Sequence, residues 1–235
     1  MSTYILVHGA WHGGWCWHKV VARLEARGHQ VQAPDLPGHG VDRTPPADTT
    51  LDGMAESICA LLDAAAEPVI LVGHSFGGTV ITQAAERRPD KVRHLIYVTA
   101  FVPRNGENTG KLGAADTESL LNPAIMVAPD RKTATLNPEA LKTVLLGKSP
   151  DEAVVLARAL LVPEGLAGFR TAVATTDGNW GRLPRRYVLC TEDRAVTPAL
   201  QRRMAEGSER ITELAADHSP YFSAPGELAA ALAAD

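Results

Sequence analysis

Val69-Ile70-Leu71-Val72-Gly73-His74-Ser75-Phe76-Gly77-Gly78 is the stretch on which the reading of this chain turns. Four apolar, mostly β-branched residues, Val69 to Val72, read as a buried strand. They run into Gly73-His74-Ser75-Phe76-Gly77, a G-x-S-x-G pentapeptide, and then into Thr79 to Ala85, which suit a helix. A serine on so sharp a strand-to-helix turn needs a strained backbone. Glycines at 73 and 77 remove the side chains that would otherwise collide. The turn lifts the Ser75 hydroxyl above the sheet and aims the first amides of the helix at the same space, where negative charge is favoured. A bare G-x-S-x-G match is common by chance; the strand before it and the helix after it make Ser75 a candidate nucleophile.

Strands and helices alternate on both sides of this turn. Tyr4 to Val7, Gln30 to Ala33 and Val92 to Thr99 read as strands, Trp15 to Ala26 and Leu51 to Ala66 as helices, the latter with apolar residues at helical spacing. Such alternation predicts an α/β fold with a mostly parallel sheet flanked by helices. From Pro103 to about Leu183 the strand signal fades, and short helical stretches appear at Pro138 to Leu146 and Asp151 to Leu161. Arg186 to Cys190 and Arg210 to Leu214 restore the strands, and a helix over Pro225 to Ala233 closes the chain. The expected organisation is a core of residues 1–102 and 184–235 and an inserted helical cap over 103–183, within a single domain.

At 235 residues such a domain buries a large core without staples or metal. Apolar content of 45%, charged content of 21% and a net charge of -4 are ordinary for a soluble protein and offer no footprint for nucleic acid or an anionic membrane. No run of 18 apolar residues exists, and the first strand begins too early to leave room for a signal peptide. Cys16, Cys59 and Cys190 are odd in number and contain no C-x-x-C pair, as expected of reduced thiols in a cytoplasmic protein. No cofactor or metal site is expected.

An activated serine needs a base, and the base an orienting acid. On this kind of turn the chain order is serine, acid, histidine. Only His94 and His218 follow Ser75; His94 lies inside a strand, whereas His218 follows the last strand and is the expected base. Asp193, just beyond the strand ending at Cys190, is the expected acid; Glu192 should point the other way, and neither Asp177 nor Asp217 ends a strand. The oxyanion donors expected are the amides of Phe76 and of Ala10, the latter in the loop His8-Gly9-Ala10-Trp11-His12-Gly13-Gly14-Trp15. His8 and His12 should fix that loop by hydrogen bonds. Gly9, Trp11 and His74 are expected to touch substrate.

Taken together, Val7 to Trp17, Gly73 to Gly78, Thr99 to Pro103, Glu192-Asp193-Arg194 and Asp217-His218 resemble the α/β-hydrolase superfamily. Within it they look like the branch of plant methyl-ester esterases, plant hydroxynitrile lyases and bacterial esterase relatives. The resemblance spans the core and is faint in the cap. It implies an α/β-hydrolase fold with Ser75, Asp193 and His218 as triad. The lyase branch carries a threonine after the first loop histidine and a lysine after the catalytic one; here those positions hold Gly9 and Ser219. The expected activity is therefore hydrolysis of carboxylic esters of small to medium lipophilic substrates through an acyl-enzyme. The cap side chains Leu120, Leu121, Ile125, Met126, Leu145, Leu146, Leu160, Leu161 and Phe169 should form an apolar lid or tunnel. Three alternatives stand beside it: a same-fold enzyme that removes a methyl ester from a natural-product intermediate or cleaves a C–C bond, a slow-turnover ligand receptor, and a pseudoenzyme or structural module. The intact set of nucleophile, base, acid and oxyanion loop argues against the last. The partner is a small-molecule ester, with homodimerisation left open.

Overall fold

β1 (Thr3–Val7) and β3 (Val69–His74) are short apolar runs buried on both faces, and they pair in parallel with Val7 opposite Gly73. Around this pair the computed structural model, which describes residues 1–234, builds one sheet of six strands. α1 (His18–Glu25) leads to β2 (Gln30–Gln32), on the outer side of β1. α2 (Leu51–Ala64) starts where Thr50 accepts a hydrogen bond from the Gly53 amide, and it buries Leu51, Met54, Ile58 and Leu62. α3 (Gly77–Arg87) follows β3, and β4 (Val92–Val98) returns beside it.

The excursion then begins. α4 (Thr109–Ala114), β5 (Ile125–Val127), β6 (Thr133–Leu136), α5 (Leu141–Leu145), α6 (Asp151–Leu160), β7 (Glu164–Gly165) and α7 (Leu166–Arg170) lie between β4 and β8 (Arg185–Cys190). α8 (Pro198–Met204), β9 (Arg210–Leu214), α9 (Pro220–Ser223) and α10 (Pro225–Ala233) complete the chain.

The sheet order is β2-β1-β3-β4-β8-β9, with every neighbour parallel. Between β1 and β3 the order reverses direction, so the loops leaving their carboxyl ends diverge and open a crevice. The loops after β4, β8 and β9 stand along the same rim. This order alone sets the loop holding Ala10, the turn at Ser75, Thr99, Asp193 and His218 side by side.

The excursion departs from the sequence expectation. Its helices are present, but β5, β6 and β7 form an antiparallel sheet of three strands, so the cap is mixed rather than helical. These strands are two to four residues long, too short for a period-two pattern to emerge. Leu120, Met126 and Leu160 are exposed, whereas Leu121, Leu145 and Leu146 join the core; the presumed lid is thus partly outer surface and partly packing. Among the described residues no helix is long and apolar enough to cross a membrane.

Candidate active site

Ser75 sits at φ 51°, in the left-handed region that a side chain seldom tolerates. Hydrogen bonds overdetermine that strain: the Ser75 amide donates to the Val98 carbonyl, and its own carbonyl accepts from Gly78 and Phe101. The flanking glycines are compulsory. A Cβ on Gly73 would stand 2.7 Å from the Gly77 carbonyl oxygen, and one on Gly77 would stand 2.5 Å from that of His8. Close approach of β1, the turn and α3 thus permits no side chain at either place.

The Ser75 hydroxyl lies 3.0 Å from His218 Nε2, and His218 Nδ1 lies 2.7 Å from Asp193 Oδ2. All three side chains are nearly enclosed, with Ser75 6% exposed and the other two 3% each. The Asp193 carboxylate is saturated. Oδ1 accepts from the Ala195 and Val196 amides at 2.7 and 3.0 Å; Oδ2 accepts from His218, from the Thr99 hydroxyl and from Gln201 Nε2. Five donors converge on this carboxylate, which faces one edge of the imidazole. Glu192 points outward to Lys148. Asp217 instead ties the His218 loop to the cap, accepting from the Lys148 and Ser149 amides and the Ser149 hydroxyl.

The loop expected to supply an oxyanion donor is built from pinned peptide planes. His8 Nε2 accepts from the Leu36 amide, so its proton resides on Nδ1, which donates to the Gly9 carbonyl at 2.8 Å. His12 Nδ1 in turn donates to the Ala10 carbonyl at 2.8 Å. Burial, reinforced by the neighbouring His39 charge, holds His8 well below its ordinary value; burial brings His12 down to about 4. Both rings are therefore neutral near pH 7. Among the described residues the Ala10 and Phe76 amides donate to no protein acceptor. Both belong to peptides beside Ser75: Phe76 follows it, and a Cβ on Gly9 would lie 2.8 Å from the Ser75 Cβ.

Of the residues expected to touch substrate, Trp11 lines a cavity of about 340 Å³ together with Thr135, Leu136, Pro138, Leu141 and Leu161. Gly9 leaves no space for a larger side chain, since its Cβ would also meet His74 Nδ1 at 2.8 Å. His74 is a correction. Its ring is fully buried against His218, Tyr221 and Trp17, and Nε2 donates to the His218 carbonyl at 2.7 Å. It supports the histidine loop from behind instead of facing a ligand, because β3 directs alternate side chains to opposite faces. A larger cleft of about 860 Å³, bordered by Arg104, Trp180, Arg185 and Arg203, includes none of Ser75, Asp193 and His218.

The sequence reading does not single out Gln201, and it quotes Thr99 only within a motif. Thr99 at least directly follows β4, which lies between the strands that lead to Ser75 and Asp193; Gln201 lies inside α8 with no pattern to mark it.

The alpha/beta hydrolase family profile matches residues 4–231, and the chain belongs to that family. Methylesterase 9 of Arabidopsis thaliana is 34% identical, the alignment covering 97% of this chain and 95% of that protein. A pyrethroid hydrolase of Sphingobium wenxiniae is 32% identical, with coverage of 99% and 87%. Among solved structures, an Arabidopsis methylesterase is similar at a TM-score of 0.85 and 28% identity, covering 99% of this chain and 97% of its own.

Proposed function

We propose that this protein hydrolyses carboxylic esters through an acyl-enzyme formed on Ser75. The observation that carries the reading is the unbroken relay from Asp193 through His218 to Ser75 at 2.7 and 3.0 Å, beside two amides with no protein acceptor. His218 Nε2 takes the Ser75 proton as the oxygen attacks the ester carbonyl. The carbonyl π pair moves onto oxygen, where the Ala10 and Phe76 amides receive the charge, each worth roughly 3 kcal/mol in comparable sites. Asp193 fixes the tautomer and balances the imidazolium. His218 then returns the proton to the departing alkoxide. Water, deprotonated by the same nitrogen, attacks the acyl group and releases the acid and free Ser75. Relatives named methylesterase and esterase support the same chemistry.

The cavity beside Trp11 includes none of Ser75, Asp193 and His218 and has Glu139 and Arg158 among its lining. Its wall of Leu136, Leu141, Leu161, Pro138 and Pro163 supports a small to medium apolar group that reaches past Trp11 on the acyl or alcohol side. The lyase alternative loses support at both positions that define it. Gly9 has no room for a hydroxyl-bearing side chain, and Ser219 supplies no ammonium; nearby Lys148 is paired with Glu192.

Ser75→Ala tests the proposal. With p-nitrophenyl esters of graded acyl length and a panel of aromatic methyl esters, the variant should lose at least about 10³-fold in kcat. Retained hydrolysis by the purified variant overturns the nucleophile assignment. Tight ester binding by the unaltered protein without turnover supports a receptor instead.

A further inference from the structure

Glu164 is a fully buried carboxylate in β7 of the cap, more than 80 residues along the chain from the nucleophile. It is delivered by close approach. A Cβ on the next residue, Gly165, would lie 2.1 Å from Thr49 Oγ1 and 2.2 Å from the Pro46 carbonyl oxygen. Glu164 Oε2 accepts from two donors, the Trp11 amide at 3.1 Å and His39 Nε2 at 2.9 Å, while Oε1 accepts from the Gly165 amide. The other nitrogen of His39 faces the Pro37 carbonyl at 3.1 Å, so both ring nitrogens meet oxygen acceptors; against the effect of burial, hydrogen bonding and charge from Glu164 raise the His39 pKa. The two form a buried carboxyl–imidazole pair, and nothing in the relay of Ser75, His218 and Asp193 uses it.

Its grip falls on the oxyanion loop. Trp11 is held at φ 62°, a strained value for a tryptophan, with every polar group bound to the cap. Its amide goes to Glu164, its carbonyl accepts from Val162, and its indole Nε1 donates to the Ala134 carbonyl. The Ala10–Trp11 peptide is thus clamped at its N–H by Glu164 and at its carbonyl by His12; the preceding peptide is clamped at the Gly9 carbonyl by His8. A peptide is planar and trans, so the Ala10 N–H lies in the Gly9–Ala10 plane that His8 and the His12 amide hold directly. Glu164 and His12 fix the next plane, and through the Ala10 Cα they keep the first from tilting. Released from Glu164, Trp11 keeps its ties to Val162 and Ala134 but loses the one that fixes its own amide, so the Ala10–Trp11 plane can tilt.

We propose that Glu164, with His39 as its counter-ion, is a positioning residue that reaches from the cap to aim the Ala10 amide at the carbonyl oxygen under attack. The proposal rests on the ester-hydrolase reading for its purpose, and it links the seating of the cap to assembly of the oxyanion hole.

The test compares the unaltered protein with Glu164→Gln, Glu164→Leu and His39→Gln, each checked for folding by circular dichroism and thermal melting. Two readouts depend on the hole: the rate at which a fluorophosphonate modifies Ser75, and the Ki of a trifluoromethyl ketone that forms a tetrahedral adduct. Complete loss of one such donor costs about 10²- to 10³-fold. Misaiming it in Glu164→Leu should slow phosphonylation and raise that Ki by about 10- to 100-fold, with KM for a p-nitrophenyl ester within about threefold. Glu164→Gln keeps an acceptor for Trp11 and should lose about 3- to 10-fold; it carries the decision if Glu164→Leu misfolds. Folded Glu164 variants with both readouts within twofold of the parent, whatever their melting temperatures, overturn the proposal and leave Glu164 a purely structural cap contact. Because phosphonylation needs no turnover, a parent that reacts with the probe yet cleaves no ester would refute the ester reading while the comparison still judges Glu164.

Discussion

Asp193→Asn is the substitution whose outcome follows most directly from the geometry. An asparagine has one oxygen and one NH₂ where the carboxylate has two acceptors. At the Oδ1 end stand the Ala195 and Val196 amides, which cannot turn away, so the asparagine oxygen must take that end. The NH₂ then faces His218 Nδ1, which must present a lone pair, moving the imidazole proton to Nε2 against the Ser75 hydroxyl. The base is thereby blocked. In addition, the imidazolium formed during attack loses its counter-charge. Centres of charge about 4 Å apart attract by roughly 4 kcal/mol at an effective dielectric of 20, and the unfavourable tautomer adds on the order of 1 kcal/mol, the scale of a net hydrogen bond. About 5 kcal/mol corresponds to roughly a 10⁴-fold loss in kcat. Initial rates with p-nitrophenyl butyrate at pH 7.5 give the comparison, and a melting curve shows whether the fold is kept, as the two surviving amide bonds imply. A folded variant retaining more than a tenth of the parental kcat would refute the reasoning.

Gly9→Ala places a Cβ 2.8 Å from both the Ser75 Cβ and His74 Nδ1; overpacking of about 1 to 3 kcal/mol and at least about a tenfold fall in kcat are expected, and denaturant melts with kinetics at parental stability and rate would contradict this. Acid stability follows from the buried neutral histidines. The folded value of His12 is about 4 against an ordinary 6.5, so the unfolded chain binds the extra proton as pH falls, and ~3 kcal/mol of stability is lost between about pH 6.5 and 4. His8 and His74, both held low by burial first, act with the same sign. For His39 burial opposes charge but Glu164 outweighs it, raising the folded value; its contribution is complete below pH 6.5 and lost as pH rises through the folded value. Three histidines against one predict a lower urea midpoint at pH 5 than at pH 7.5, and a flat or rising midpoint would count against the neutral burial of His8, His12 and His74.

Much of this architecture is legible in the sequence because its signals are local. Val69 to Val72 form a strand, and Gly73 and Gly77 disclose the elbow because their neighbours leave no room for a Cβ. β9 and α10 begin and end where apolar spacing and Pro225 place them. The cap is less legible. β5, β6 and β7 derive their pairing from one another and from the 46–49 turn, not from any pattern of their own. His74 was open to misassignment for the opposite reason: it adjoins the nucleophile in sequence, yet strand alternation turns its ring into the core. Gln201 and Glu164 reach the site through tertiary contacts, and no window of residues around either announces a buried acceptor or donor.

The stacking of Phe76 on Phe169, ring centroids 4.5 Å apart, attaches the second amide's own side chain to α7. With Trp11 moored to β6 and β7, both of the proposed oxyanion donors are fastened to the same inserted segment. Exchanging that segment wholesale with a relative's, the obvious route to a new specificity, should therefore alter the proposed chemical step along with the cavity beside Trp11. Grafts that preserve residues 11, 162, 164 and 169 while varying the other residues around the 340 Å³ cavity test selectivity apart from rate.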